Sequence, residues 1–277
     1  MPIITVSRGS MSGGQALATA VAAEIGAPCI GRELVIEAAS RLGVPGDVLR
    51  EKMEKSPGLW ERMTHDRRIY VTALQAALAE HVLAGNAVYH GFVGHLLLRG
   101  VPAVLRIRVI APVAVRVRAL MDQHGWTKAS AERHIDQVDQ DRARWVRFIY
   151  DEDIGDPRLY DLLINLDAVS LDSACAGVTA LARRPEFAVT PEVSQRLRDF
   201  ALTCRVKVAL ASAAPTRALN LSVSSDHNAV TVEGEVPDVA MVTDISDRWE
   251  AEIRPIVEAV DGVSGVDLRL RAVYPHV

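Results

Sequence analysis

The stretch from Ile3 to Leu17 constrains this chain more than any other. Ile3-Ile4-Thr5-Val6-Ser7 is an apolar, strand-like run, Arg8-Gly9-Ser10-Met11-Ser12-Gly13-Gly14 is a glycine- and serine-rich turn, and Gln15-Ala16-Leu17 begins an alanine-rich helical pattern. A strand that ends in such a turn and restarts as a helix aims backbone N–H groups and the positive end of the helix dipole at one point. Glycine lets those groups converge because no Cβ stands in the way. The arrangement suits a phosphate. Against the pattern GxxxxGK[ST], Gly9 and Gly14 fit, whereas the lysine position holds Gln15 and the Ser/Thr position holds Ala16. Gly9, Ser10, Met11, Ser12, Gly13, Gly14, Gln15 and Ala16 therefore read as a nucleotide-phosphate loop that lacks its lysine and its metal-holding hydroxyl. Ala16 cannot ligate a metal; Ser10 and Ser12 are the hydroxyls left, and Arg8 is the nearest cation. The competing reading is an ordinary Gly/Ser turn between a strand and a helix.

Residues 3 to about 182 alternate short apolar strands with longer helical patterns. Strands are expected at Ile3–Ser7, Ala87–His90, Val104–Ala111 and Leu162–Asn165. Helices are expected at Gly14–Ile25, Arg32–Leu42, Trp60–Ala84, Pro112–His124, Lys128–Phe148 and Ser170–Ala182. Such alternation argues an α/β fold, a three-layer parallel sheet flanked by helices. Arg183-Arg184-Pro185-Glu186 reads as a boundary. Beyond it the texture changes: a helix (Pro191–Ala211), two strands (Ala218–Ser224, Ala229–Glu235), a helix (Asp238–Ala259) and a last strand (Gly265–Val273). This divides the chain into a domain of residues 1–184 and a small α+β domain of residues 190–277.

A formal net charge of −4, with no basic block, argues against general nucleic-acid binding. The N-terminal run lacks a basic leader and an 18-residue apolar stretch, so neither a signal peptide nor a membrane span is expected. Cys29, Cys175 and Cys204 are scattered and odd in number, which fits buried, inert thiols and a cytoplasmic setting.

Outside the loop, arginines are the candidates. Segment 128–148 carries Arg133, Arg142, Arg144 and Arg147; Arg142 is the candidate to face phosphate, against a solvated helix with Asp139–Arg142 pairing. Arg32 sits at a helix start, where its charge opposes the dipole and so favours a functional role. Arg106 and Arg108 alternate along one strand and share a face, so they need partners or a cleft. Asp156 and Asp161 border a Gly/Pro turn; turn capping accounts for Asp156, and Asp161 is a candidate to orient a sugar, a base or metal-bound water. His90 and His95 flank Gly91 at a strand end, where ligands collect in α/β sheets. No metal-ligand spacing is present.

Several blocks in order resemble the cytidylate-kinase-like proteins, a branch of the P-loop nucleoside monophosphate kinases. They are Ile4–Arg8 with its loop and helix to Pro28, Gly31-Arg32-Glu33-Leu34 with Ala38-Ala39, Val88-Tyr89-His90-Gly91, Leu105 to Pro112 with Arg116 and Arg118, Val138-Asp139-Gln140-Asp141-Arg142, and Gly155-Asp156-Pro157 with Tyr160-Asp161 to Asn165. The resemblance implies ATP as phosphoryl donor with Mg²⁺, and a CMP-type acceptor. It also implies Arg8 and Arg142 as catalytic charges, Arg32 and Asp161 on the acceptor, and segment 128–148 as a lid. Three departures stand out: Gln15 where the family keeps Arg, Gly31 for Asp, and Phe92 for Arg. Each lost charge-assisted donor costs on the order of 2–4 kcal/mol of transition-state stabilisation. The tail resembles a BON domain through Arg205–Leu210, Ala218–Val223, Val230–Val236 and Val260–Leu268, with Asn228 at the usual turn glycine. That implies a docking module for a protein or phospholipid partner, or a surface for homo-oligomers.

Three readings follow: a phosphotransferase with ATP and a nucleoside monophosphate, a nucleotide-binding regulator without turnover, and an interaction protein in which the tail acts alone.

Overall fold

The computed structural model describes residues 2–41, 47, 66–91, 93–237 and 245–273. In chain order these form β1 (Ile3–Arg8), α1 (Gly14–Ile25), β2 (Cys29–Gly31), α2 (Arg32–Ser40), α3 (Asp66–Val82), β3 (Ala87–His90), α4 (Gly94–Leu97), β4 (Val104–Ile110), α5 (Val113–His124), α6 (Lys128–Tyr150), β5 (Leu162–Asn165), α7 (Leu171–Ala182), α8 (Pro191–Ser212), β6 (Asn220–Asp226), β7 (Ala229–Pro237), α9 (Ile245–Glu258) and β8 (Gly265–Val273). The expected helix starts at Trp60 and Asp238, and the expected Phe92, lie outside the described residues.

β1 to β5 make one parallel sheet in the order β2-β3-β1-β4-β5. Successive residues of a strand face opposite sides, and both sides are covered. Ile3, Tyr89 and Val104 pack beneath α2, α3, α4 and α6, while Ile4, Val6, Leu105, Ile107 and Val109 pack beneath α1 and α7. That double burial explains why β1 and β4 read as nearly continuous apolar runs. The chain leaves β1 toward β2 and β3 on one side and reaches β4 on the other. β1 therefore ends at the switch point of the sheet, where α/β proteins open a crevice beyond the strand ends.

A second, three-stranded sheet joins β6 and β7 antiparallel and β7 and β8 parallel. Its hairpin turns on His227 and Asn228, both at positive φ (47° and 68°), a conformation Asn tolerates. The Asn228 N–H donates to the buried Asp199 carboxylate on α8 at 3.2 Å.

α8 serves both sheets. Leu197, Cys204 and Val208 enter the larger core beside α3, whereas Leu202, Val206 and Leu210 enter the smaller one beside α9. Positions four apart stack on one face, so this helix is apolar on two faces. Arg205 adds an ion pair to Glu80 of α3 at 2.5 Å. The boundary near residue 184 thus separates the two sheets, while α8 ties their cores together. Burial pushes the Cys204 thiol up to about 12, which leaves it inert. Among the described residues no helix is long and apolar enough to cross a membrane.

Candidate phosphate-binding site

Residues 9–13 turn between β1 and α1 with Gly13 in the left-handed region at φ 83°. The turn leaves no room for side chains. A Cβ on Gly14 would lie 2.7 Å from Arg8 Cβ, and one on Gly13 would lie 2.8 Å from Leu166 Cδ1. Met11, also at positive φ (59°), packs against Val117, Leu120, Ala131 and Ile135 of α5 and α6. The loop is therefore pinned from its apolar side, with its backbone toward the strand ends.

Ser12 is committed to that pinning. It is buried, and its hydroxyl lies 3.1 Å from the Gly9 carbonyl and 3.2 Å from the Val109 carbonyl, to which it donates. Gln15 and Ala16 are exposed on the first turn of α1. With Ala16 at the hydroxyl position and Ser12 engaged, Ser10 is the loop hydroxyl left for a metal. Among the described residues no group of three His, Cys, Asp or Glu side chains could hold a metal ion.

Arginines ring the loop. Arg116 of α5, only 8% exposed at its side chain, donates through Nε to the Ser10 carbonyl at 2.6 Å and bidentately to Asp139 of α6 at 2.7 and 2.9 Å. A Cβ on Gly9 would meet its guanidinium carbon at 3.3 Å. This clasp joins the loop, α5 and the expected lid helix. Arg142, one turn further along α6, donates to the Arg8 carbonyl at 3.2 Å. Burial, and then the positive charge of Arg8, lower its guanidinium to about 10 despite Asp139. Arg8 is likewise lowered, first by burial and then by Arg32, and its buried Nε has no hydrogen-bond partner among the described residues. Arg32 opens α2 and donates to the Glu33 carboxylate at 3.1 Å. Partly buried cations that depress one another mark a place where an anion relieves the strain.

The structure brings Gly9 to Ala16, Arg8, Arg32 and Arg142 to one end of the sheet. It does not bring Asp161 there. Asp161 precedes β5 and is closed by Arg106, which donates from Nη2 at 2.5 Å, from Nε at 3.0 Å and from its backbone at 2.8 Å. Arg106 is level with Thr5, three residues short of Arg8, or about 10 Å along the strand. Asp156 caps the short turn Pro157–Leu159 through Arg158 N–H, as expected. Arg133, Arg144 and Arg147 point to solvent or to neighbours on α6. Arg108 donates to the Tyr160 hydroxyl at 3.1 Å. Sequence reasoning noted Arg116 and Asp139 only as parts of motifs. Their pairing across 23 residues carries no local signal.

The model of the cytidylate kinase-like family matches residues 3–168. Among solved structures, an uncharacterized protein from Eubacterium ventriosum ATCC 27560 is 20% identical with a TM-score of 0.52, covering 65% of this chain and 97% of that chain. A shikimate kinase from Bacteroides thetaiotaomicron is 15% identical with a TM-score of 0.42, covering 66% and 99%. A gluconokinase from Sinorhizobium meliloti 1021 is 16% identical with a TM-score of 0.40, covering 65% and 93%. The first of these supports the fold, and the fold alone. No curated protein matches the chain.

Proposed function

Because the chain belongs to the cytidylate kinase-like family, we propose that it is a phosphotransferase that moves the γ-phosphoryl group of ATP to a small acceptor, CMP being the acceptor its family implies. The observation that carries this reading is the packing of Arg8 and Arg142 against a loop whose glycines admit no side chain. Backbone amides of residues 12–15 and the start of α1 hold the donor phosphates. Arg8 and Arg142 supply the charge that Gln15 does not, and Arg32 faces the acceptor from α2. Such a reaction asks the protein for position and charge more than for covalent chemistry. Mg²⁺ would bridge the donor phosphates, with Ser10 as its loop ligand.

A second reading, nucleotide binding without turnover, is favoured by Ala16, by the engagement of Ser12, and by α8, which links the loop domain to the tail. In either reading the tail is a BON-like docking unit for a protein or phospholipid partner. Its order of helix, two strands, helix and strand supports that assignment. Calorimetry with ATP and ADP, followed by an assay for ADP release with CMP and other monophosphates, separates the readings. Binding with turnover supports the transferase. Binding alone supports the regulator. Absence of binding refutes both.

A further inference from the structure

We propose that His90 is the base of this site and that the oxygen it serves belongs to a hydroxyl: the chain passes the γ-phosphoryl group of a nucleoside triphosphate to an alcohol rather than to a phosphate. The inference rests on the phosphotransfer reading and changes its acceptor.

β2 and β3 end side by side, with Gly31 opposite His90, and His90 is opposite Val6, two residues before Arg8. A Cβ on Gly31 would lie 3.5 Å from Glu33 Oε2 and 3.5 Å from Cε1 and Nε2 of His90. A carboxylate and an imidazole therefore flank one spot, which is open because residue 31 has no side chain. The spot adjoins the phosphate loop through Arg8.

The charge at this end decides the acceptor. A phosphate monoester brings about −1.5 to −2 of charge at neutral pH and needs cations in excess. Here Arg32 is bonded to Glu33, so the positive charge arrives with its own negative partner. Burial works to raise the Glu33 carboxyl, but its backbone hydrogen bond and Arg32 outweigh it and keep Glu33 ionised. His90 adds no charge, because burial and then Arg8 lower its ring below the ordinary histidine value against the pull of Glu33. The charged groups facing it are Arg8 on β1 and Arg32 and Glu33 on α2, with Arg142 of α6 behind Arg8. A carboxylate beside a neutral imidazole repels a dianion and suits a neutral hydroxyl whose proton must leave. His90 Nδ1 is buried without a hydrogen-bond partner among the described residues, which leaves its bonding capacity for a ligand.

In the step, the acceptor O–H proton passes to a ring nitrogen of His90 as the oxygen forms its bond to the γ-phosphorus. The bond from that phosphorus to the β–γ bridging oxygen breaks, and the nucleoside diphosphate leaves with the electron pair.

Water is the surrogate hydroxyl for the test. Single-turnover hydrolysis of γ-labelled ATP with Mg²⁺ would be followed from pH 5 to 8 in the full chain and in His90→Gln, with ADP affinity measured in both. The expected result is slow hydrolysis that falls as the ring protonates. In His90→Gln it should be about 100-fold slower and flat with pH, with ADP affinity within about twofold. Equal rates in the two proteins overturn the inference. So does absent hydrolysis in a wild type that binds ATP, or phosphorylation of CMP at a rate His90→Gln leaves unchanged. Failure to bind ATP at all removes the phosphotransfer reading itself, whereas binding with His90-independent turnover removes only this inference. If His90→Gln does not fold, His90→Asn and the ring's own titration by NMR carry the test; a ring protonated at pH 7 overturns it.

Discussion

His95 makes the fold sensitive to mild acid. It lies on α4, is 4% exposed, and stacks with its ring centroid 4.7 Å from that of Tyr160. Neither ring nitrogen has a hydrogen-bond partner among the described residues. Burial first, then Arg108, Arg106 and Arg99, lower the ring to about 3. The native state thus keeps His95 neutral where the unfolded chain, titrating near 6.5, takes up a proton. Between those values the unfolded state binds more protons, so stability rises with pH and is lost as pH falls below about 6.5. Inside that window the slope is about 1.4 kcal/mol per pH unit, and from pH 7 to pH 5 the ring alone removes about 2 kcal/mol. His90 shifts in the same direction and adds to the wild-type slope, so a variant is needed to isolate His95. His95→Phe keeps a flat ring beside Tyr160 and removes the titration. Urea unfolding at pH 7 and pH 5 should show the variant losing about 2 kcal/mol less than wild type on acidification. Identical pH slopes in the two proteins would refute the reasoning, as would an NMR titration placing the native His95 ring near 6.5.

Other consequences are local. Gly14→Ala places a methyl 2.7 Å from Arg8 Cβ, an atom too near the backbone to swing away. It should cost about 1–3 kcal/mol in denaturant unfolding and abolish ADP binding in calorimetry. Gly26→Ala meets nothing within 4 Å, so it should cost only its positive φ, about 1 kcal/mol, with ADP affinity unchanged. Gln15→Lys restores a cation on an exposed position at the start of α1 and should tighten ADP about tenfold at low salt, a gain that shrinks as salt rises. A chain ending at Arg184 loses Leu197, Cys204 and Val208 from the larger core, at about 1.5–3 kcal/mol for each large apolar side chain. It should melt without cooperativity in calorimetry, whereas one ending at Ser212 keeps that face of α8 on α3.

What the sequence made legible was what repeats locally. β3, β5, α1 and β8 fall where apolar periodicity and turn residues place them, and Asn228 takes the left-handed turn. β2 was not legible, because Cys29-Ile30-Gly31 is too short to show a period. It forms because β3 offers it an edge, and its presence sets Gly31 beside His90. The loop was legible as glycines and serines, but the role of each serine was not. Ser12 turns out to be fastened to β4, a contact 97 residues distant, so its substitution by Asp would disturb the fold along with the anion site.

The same distinction governs the arginines. On the sequence Arg106, Arg108, Arg116 and Arg142 are alike, and only their partners sort them. Arg106 meets Asp161, which closes both away from the loop. Arg116 meets Asp139 and is thereby laid against Gly9. Arg142 meets a backbone carbonyl, an acceptor that leaves its charge uncompensated, and burial then makes that charge costly enough to be lowered to about 10. An arginine neutralised by a carboxylate holds a fold together, whereas one bonded to a carbonyl keeps a positive field for whatever anion arrives. By that criterion the charge that acts on a bound phosphate comes from Arg142 and Arg8, while Arg116 fixes the loop to which it binds.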